Sequence, residues 1–507
     1  MRSRFAILLA IAVVCVTTVW AGWTAESLVT SDPVKDRQLA RGGHAMVFDA
    51  GGVGHLVWSS LVYGTGVYCN RYDPGSSWTP DCWVHPTGGG AQIALDDDGT
   101  TIHVVYADST LCYQKCVRQG DGTDAWGPVV RLYRDHAVDL LSMASAPGDP
   151  GHVVVCWTEY YETSRRRYSY AIGFIECVSG VWGSPIRLDS TGSAVRQYPS
   201  IAVAPNGDVF IAYCSSQDDP SGRQVYVKTR HNGSWGTTVD VTPGRGSDFC
   251  SMSVIEASPY TDNPHVAFSW RITRQISKKV TDISYRVGHT YRNSQGVWQP
   301  LDSISTPRHN QGPYTSSFNP AMAFASDGAA YTAWREHYPL TSSGIMYSYC
   351  PAEGGPWTRP AWLTSDTSGT YQDAIPSVAV DEWAGLVHVA WKRGYSGEAK
   401  EIWWRSGDLG GDGPQAQPVA LPQSRVELFP NPATAGRVTV RYALPHAGPM
   451  TVTLLDVSGR AVRRSAFDAR SSRVGSFALD ASGLHAGVYI LRLESGTTSL
   501  TQKLVIQ

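Results

Sequence analysis

The sequence predicts an all-β protein: a seven-bladed β-propeller followed by a second, smaller β domain. Three observations predict it. A tryptophan is followed six residues later by an aliphatic residue seven times, in Trp23/Val29, Trp78/Val84, Trp126/Leu132, Trp182/Leu188, Trp235/Val241, Trp298/Ile304 and Trp357/Leu363. The copies lie 48 to 63 residues apart, and self-similarity at such a period marks a repeat architecture. Each interval holds short apolar runs broken by turn residues, and residues 425 to 507 contain no tryptophan at all.

Composition agrees with many short strands. Aromatic residues make up 11% of the chain, charged residues only 17%, and there are 50 glycines and 30 prolines. Net charge is −2 with a pI near 6.7, so no basic field favours nucleic acid, and none is expected as a partner.

The first element is a leader. Arg2 and Arg4 precede an apolar run from Phe5 to Val19, and Val19-Trp20-Ala21 ends in a small residue. Residues 1–21 therefore read as a signal peptide cleaved after Ala21. The route is oxidising, and nine cysteines remain after cleavage. Cys69 with Cys82, and Cys156 with Cys177, fall on segments expected to be neighbouring strands. Cys112 and Cys116 lie about 13 Å apart on one strand, beyond disulfide reach. No Cys/His cluster has metal-site spacing, and neither a metal nor a cofactor is expected.

The second element spans residues 22–409. Its cleanest unit is Pro199-Ser200-Ile201-Ala202-Val203-Ala204, the turn Asn206-Gly207, then Val209-Phe210-Ile211-Ala212-Tyr213. A third strand follows over 224–229, and a fourth ends near the aliphatic partner of the tryptophan. Four strands per unit and seven units describe a propeller. Asp96-Asp97-Asp98-Gly99 falls on the turn between first and second strands, so a hairpin explains it better than a calcium loop.

The tryptophan motif resembles the Asp-box of bacterial sialidase-type (BNR) propellers, in eroded form. Asp73-Pro74-Gly75 precedes Trp78, and only Gly180, Gly233, Gly296 or Gly355 remains before the later tryptophans. The last unit keeps Ser406-Gly407-Asp408 but has no tryptophan of its own. Trp23-Thr24 and Thr30-Ser31-Asp32 match Trp357-Thr358 and Thr364-Ser365-Asp366 position for position. The N-terminal segment is therefore expected to supply the outer strand of the seventh blade and to remove its open edge.

Residues 410–424 are rich in proline and glycine and read as a linker. Residues 425–507 resemble the C-terminal sorting domain of type IX secretion substrates. The match rests on Leu428-Phe429-Pro430-Asn431-Pro432-Ala433, Leu455-Asp456-Val457-Ser458-Gly459-Arg460, Leu484-His485-Ala486-Gly487-Val488-Tyr489 and Lys503-Leu504-Val505. The resemblance implies an immunoglobulin-like sandwich recognised by the type IX machinery. It implies a secreted or surface protein of a Gram-negative bacterium of Bacteroidetes-related lineage. Lipopolysaccharide attachment would make it peripheral to the outer membrane.

Chemistry is expected on the face that carries the loops leading into each blade and those between its second and third strands. Rigid scaffolds present function on such loops. The ligand-binding candidates are Arg335, Glu336, His337, Tyr338 and Arg393, with Arg134, His136, Arg308, His309 and Tyr371 on neighbouring loops. Arginines near carboxylates, histidines and tyrosines suit an anionic sugar or acid–base chemistry. Sialidases also carry a Phe/Tyr-Arg-Ile-Pro motif. Here Ser184-Pro185-Ile186-Arg187 runs the wrong way, so no catalytic set carries over. The expectation is a monomer that binds a glycan or a protein partner. The alternative is a carbohydrate-active enzyme, a polysaccharide lyase or a sialidase-like hydrolase.

Overall fold

The computed structural model describes residues 23–30, 37–39, 44–49, 51–60, 66–74, 76–118, 124–164, 167–189, 195–216, 223–243, 248–277, 280–305, 308–309, 319–337, 343–364, 371–395, 400–409, 425–429, 431–433, 437–443, 448–469, 474–496 and 498–507. The leader, the linker and Tyr338 lie outside them. All regular structure among the described residues is β.

The unit around Pro199 shows how sequence becomes sheet. Arg196–Val203 pairs with Val209–Ser215, and that strand pairs with Gln224–His231. The apolar run of Val209–Ser215 is buried on both faces, because each sheet packs between two others. The expected fourth strand is two short pieces, Ser234–Trp235 and Val239–Asp240, both on Gln224–His231. Gly236 takes the bend between them, its N–H donating to Thr229 O at 2.9 Å. The same split recurs in Val181–Trp182 with Ile186–Asp189.

The innermost strands follow one another in a circuit. Met46–Phe48 lies against Gly89–Leu95, followed by Ala137–Ser145, Arg196–Val203, Phe249–Ala257, Ala321–Phe324 and Tyr371–Asp381, which returns to Met46–Phe48. Serine hydroxyls tie successive members. Ser142 Oγ accepts from Ile201 N at 3.1 Å, Ser200 Oγ from Ile255 N at 3.0 Å and Ser377 Oγ from Ala45 N at 3.1 Å. Equivalent positions are thus level with one another, which gathers equivalent loops on one face. Most of these strands also kink at one place. Gly90, Leu140, Tyr198, Met252 and Ile375 have positive φ at a register shift. For the β-branched Ile375 at φ 53° this is a strained conformation held by the surrounding sheet.

The N-terminal segment lies at the outer edge of the last sheet. Ser27–Leu28 pairs antiparallel with Trp404 and Trp403, and Trp23 bridges to Gly407. Thr24 Oγ1 accepts from Ser406 N at 3.0 Å, and Thr30 Oγ1 from Ile402 N at 3.3 Å. Thr358 and Thr364 do the same for Tyr349 N and Ile345 N at 3.0 and 3.1 Å. Trp23 lies over Gly407, where a Cβ would come within 2.6 Å of its ring, so only glycine admits it.

The tryptophans of the motif pack on the preceding sheet rather than toward solvent. Trp182 meets Tyr113, Trp235 meets Phe174 and Trp357 meets His289, all edge to face. Asp96 and Asp98 form the expected hairpin. Gly99 N donates to Asp96 O at 2.9 Å, and Asp98 Oδ1 accepts from Thr100 N and Thr101 N.

The C-terminal region has two sheets, Arg425–Phe429 with Arg437–Ala443 and Val474–Asp480, and a four-stranded sheet ending in Thr498–Ile506. Both supply one core that includes Val438, Val440, Leu454, Leu491 and Leu504. Asn431 clips its ends together. Its Nδ2 donates to Lys503 O at 2.7 Å and its Oδ1 accepts from Val505 N at 3.0 Å.

Candidate functional site

Beneath the loop-rich face runs a layer of aromatics on the second strands, at one register position except for Trp270, which stands two residues beyond its counterpart Phe268. They are Trp58, Tyr106, Trp157, Tyr213, Trp270, Trp334 and Trp391, all buried. Polar neighbours satisfy several of them. Trp58 Nε1 donates to Asn70 Oδ1 at 2.7 Å, Tyr106 OH to Gln114 Oε1 at 2.9 Å and Trp270 Nε1 to Asp248 Oδ2 at 3.0 Å. Arginines stack on the rings. Arg37 lies 5.1 Å over Trp58, Arg286 5.2 Å over Trp270 and Arg393 5.5 Å over Trp391.

Two of the sequence candidates belong to this layer. Glu336 is 1% exposed and accepts from Trp334 Nε1 at 3.0 Å. Arg393 makes a fork with Asp373, Nε to Oδ1 at 2.7 Å and Nη2 to Oδ2 at 2.8 Å, and Nη1 reaches Glu26 at 2.6 Å. Burial disfavours its charge, but the two carboxylates outweigh this and hold its pKa above the ordinary arginine value. Arg393 thus joins an inner strand, a second strand and the N-terminal segment.

The remaining candidates are spread around the ring. Arg335 follows Trp334 and is half-buried. His337 ends Ala330–His337 opposite Ser343. Arg134 is exposed and His136 half-buried, between Val130–Tyr133 and Ala137–Ser145. Arg308 and His309 pair with Tyr285 and Ser284, and Tyr371 opens its strand opposite Tyr395. Ser343 Oγ donates to Asp373 O at 2.8 Å, which brings the Glu336 hairpin beside the Arg393 fork.

Sequence reasoning missed two cavities among the described residues, each holding a histidine paired with a glutamate. One, of about 320 Å³, lies on the axis of the circuit, and none of the candidates lines it. It contains an ion pair, His44 Nε2 to Glu256 Oε1 at 2.8 Å. Burial would lower the His44 pKa, but the charge and hydrogen bond of Glu256 prevail and raise it. The signal was available in the repeat, because Glu256 occupies a position held elsewhere by alanine or valine.

The other cavity, of about 70 Å³, lies between two sheets near Trp357. His265 Nδ1 is 3.2 Å from His289 Nε2, and His265 Nε2 is 3.8 Å from Glu353 Oε1. Burial lowers both histidine pKa values. It pushes Glu353 up, but the neighbouring His265 and hydrogen bonds from Thr261 and Asn263 outweigh it and hold the carboxyl at about 2. Among the described residues no group of three or more histidine, cysteine or acidic side chains is arranged to hold a metal ion.

Residues 427–507 match the family model of the secretion system C-terminal sorting domain. The chain ends in a type IX sorting domain. That sorting domain marks the protein for export, to the medium or the cell surface. Comparison with curated proteins finds no match. Three solved structures are loosely similar. A Dyadobacter fermentans protein of unknown function is 9% identical over 76% of this chain and 98% of its own, with a TM-score of 0.44. An ulvan lyase of a new polysaccharide lyase family is 11% identical over 76% and 95%, at 0.48. A Penicillium chrysogenum α-L-arabinanase is 12% identical over 63% and 93%, at 0.42. At such low identity these likenesses bear on neither substrate nor activity.

Proposed function

We propose that this chain is an exported seven-bladed β-propeller that binds a glycan or a surface protein through its loop-rich face. The circuit of inner strands supports one blade per strand, with residues 23–30 as the outer strand of the seventh. Two sheets over one core support an immunoglobulin-like reading of residues 425–507. Export then removes residues 1–21 and uses the sorting domain, and tail cleavage with lipopolysaccharide attachment would leave the propeller peripheral to the outer membrane.

One observation favours recognition over catalysis. Glu336 and Arg393, the carboxylate and cation best placed for chemistry, are committed to Trp334 and to Asp373 with Glu26. A buried carboxylate held by an indole N–H, beside a saturated guanidinium, builds a rigid platform rather than an acid–base pair. Exposed Arg134 and Tyr160 remain on the same face to meet a partner.

The deciding experiment incubates the full chain with an array of acidic polysaccharides and with outer-surface protein extracts. Retention and ultraviolet absorbance of unsaturated products are followed together. Retention without product is expected. Product release would replace this reading with a polysaccharide lyase, and no retention by either class would remove it.

A further inference from the structure

The bore of the ring carries one chemical irregularity. At one position of the inner strands stand Val47, Ala94, Ala144, Ala202, Glu256, Ala323 and Ala379, all lining the axial cavity. Six are small and apolar. The seventh is a carboxylate. His44, just before Met46–Phe48, reaches it from a different sheet at 2.8 Å. The pair keeps 23% and 15% exposure, so both groups face the space they line.

Stability does not account for the pair. Ion pairs taken out of water lose most of their Coulomb gain to desolvation, and apolar replacements are often neutral or better. The fold itself displays that replacement in the other six strands. A charged pair in an apolar bore therefore points to what the bore holds.

The chemistry of the walls narrows the occupant. His44 occupies Oε1, which leaves Oε2 to accept a further hydrogen bond. Most of the remaining surface is C–H, from the alanines, Val378 and Phe324, and the Ser145 hydroxyl that also lines it donates to Leu95 O. A ligand carboxylate would be repelled by Glu256, and a purely apolar one would leave Oε2 unpaired. Hydroxyl groups on a C–H framework satisfy both surfaces. The volume of about 320 Å³ is near the lower bound of small-molecule sites, roughly 300 Å³. We propose that the axial cavity binds a small neutral polyol, about one sugar ring in size, through hydroxyl hydrogen bonds to the Glu256–His44 pair. This site is separate from the loop-rich face and does not rest on the reading given above.

Calorimetric titration of the full chain with D-xylose, D-galactose and myo-inositol tests it, with sodium acetate as the charged control. Saturable binding of at least one polyol and none of acetate is expected. Glu256→Ala installs the residue that five sister strands already carry, so folding should persist, checked by an unchanged circular dichroism spectrum and a cooperative melt. Its polyol affinity should fall about tenfold or more, the scale of a lost hydrogen bond to a charged group. His44→Gln, which keeps a donor, should lose less. Absence of saturable binding to all three polyols, tighter binding of acetate, or wild-type affinity in Glu256→Ala would each overturn the proposal.

Discussion

Trp23 meets Tyr347 edge to face, with ring centroids 5.0 Å apart and planes at 77°. Trp235 meets Phe174 at 5.0 Å and 83°, and Trp357 meets His289 at 5.1 Å and 79°. In each case a tryptophan of the motif caps an aromatic ring on the third strand of the preceding unit. The N-terminal tryptophan performs for the last sheet what chain-local tryptophans perform elsewhere. The circuit is thus stitched by residues nearly four hundred positions apart in sequence, with Trp23 bridged to Gly407.

Arg393 is a second stitch at the same seam. Asp373 is 0% exposed and depends on the guanidinium fork. Arg393→Ala takes the guanidinium fork from that buried carboxylate, which costs about 3–5 kcal/mol. Arg393→Lys recovers only part, because one ammonium cannot replace a bidentate fork. Melting of the two variants by circular dichroism should rank wild type above Lys above Ala. Equal melting of wild type and Arg393→Ala would remove the clamp role.

The buried histidines set the acid side of the stability curve. Burial lowers His103, His265, His289 and His388, and takes His55 to about 3. Below about pH 6.5 the unfolded chain binds protons that the folded ring refuses, so stability falls as pH falls. Glu353 adds to this, since its contribution is present above about 4.5 and is lost as pH falls toward its folded value of about 2. His44 acts oppositely: its contribution is complete below about 6.5 and is lost as pH rises through its raised folded value. Five histidines outweigh one, so the melting temperature should drop steadily from about pH 7 to 5. A melting temperature that stays flat or rises over that range would contradict the assignment.

Cys69 and Cys82 stand directly opposite across an antiparallel pair, and both are free thiols here. Opposed residues in such a pair lie about 4.5–5.5 Å apart at Cα, within disulfide range. Cys156 instead faces Phe174, and Cys177 faces Val153. Oxidative refolding should join Cys69 to Cys82 and leave Cys156 and Cys177 reduced. Peptide mapping under non-reducing conditions reads this directly, and a Cys156–Cys177 peptide would refute it.

The sorting domain depends on the Asn431 clip. Asn431→Ala removes two hydrogen bonds to the last strand, at a cost of about 1–3 kcal/mol. Surface display in a type IX host, read by protease shaving of intact cells, should fall while total expression is retained. Undiminished display would show that the clip is dispensable.

The repeat made the strands legible because each unit shows the same apolar pairs and the same tryptophan spacing. The Trp23–Trp357 correspondence anticipated which edge the N-terminal segment would occupy, since identical threonines follow at both places. The roles of Glu336 and Arg393 were not legible. Their positions read as loop ends, whereas their carboxylate and guanidinium turn inward onto the aromatic layer, which only tertiary packing decides. The short Arg37–Gln38 strand was also hidden. Its buried arginine is fixed by Trp58, Asp81 and Glu401 from distant segments. Glu256 was visible in principle as the odd member of an alanine column, once the repeats are aligned by turn rather than by tryptophan.

Closure of the ring by its own N-terminus is tested most directly by thermal melting of mature chain lacking residues 23–30, beside Trp23→Ala. Removing a packed tryptophan costs about 3 kcal/mol, and removing the strand exposes the edge of Glu401–Asp408 as well. Both variants should melt earlier than wild type, the deletion earlier and over a broader transition than the point variant. A deletion that melts at the wild-type temperature with undiminished cooperativity would contradict the account.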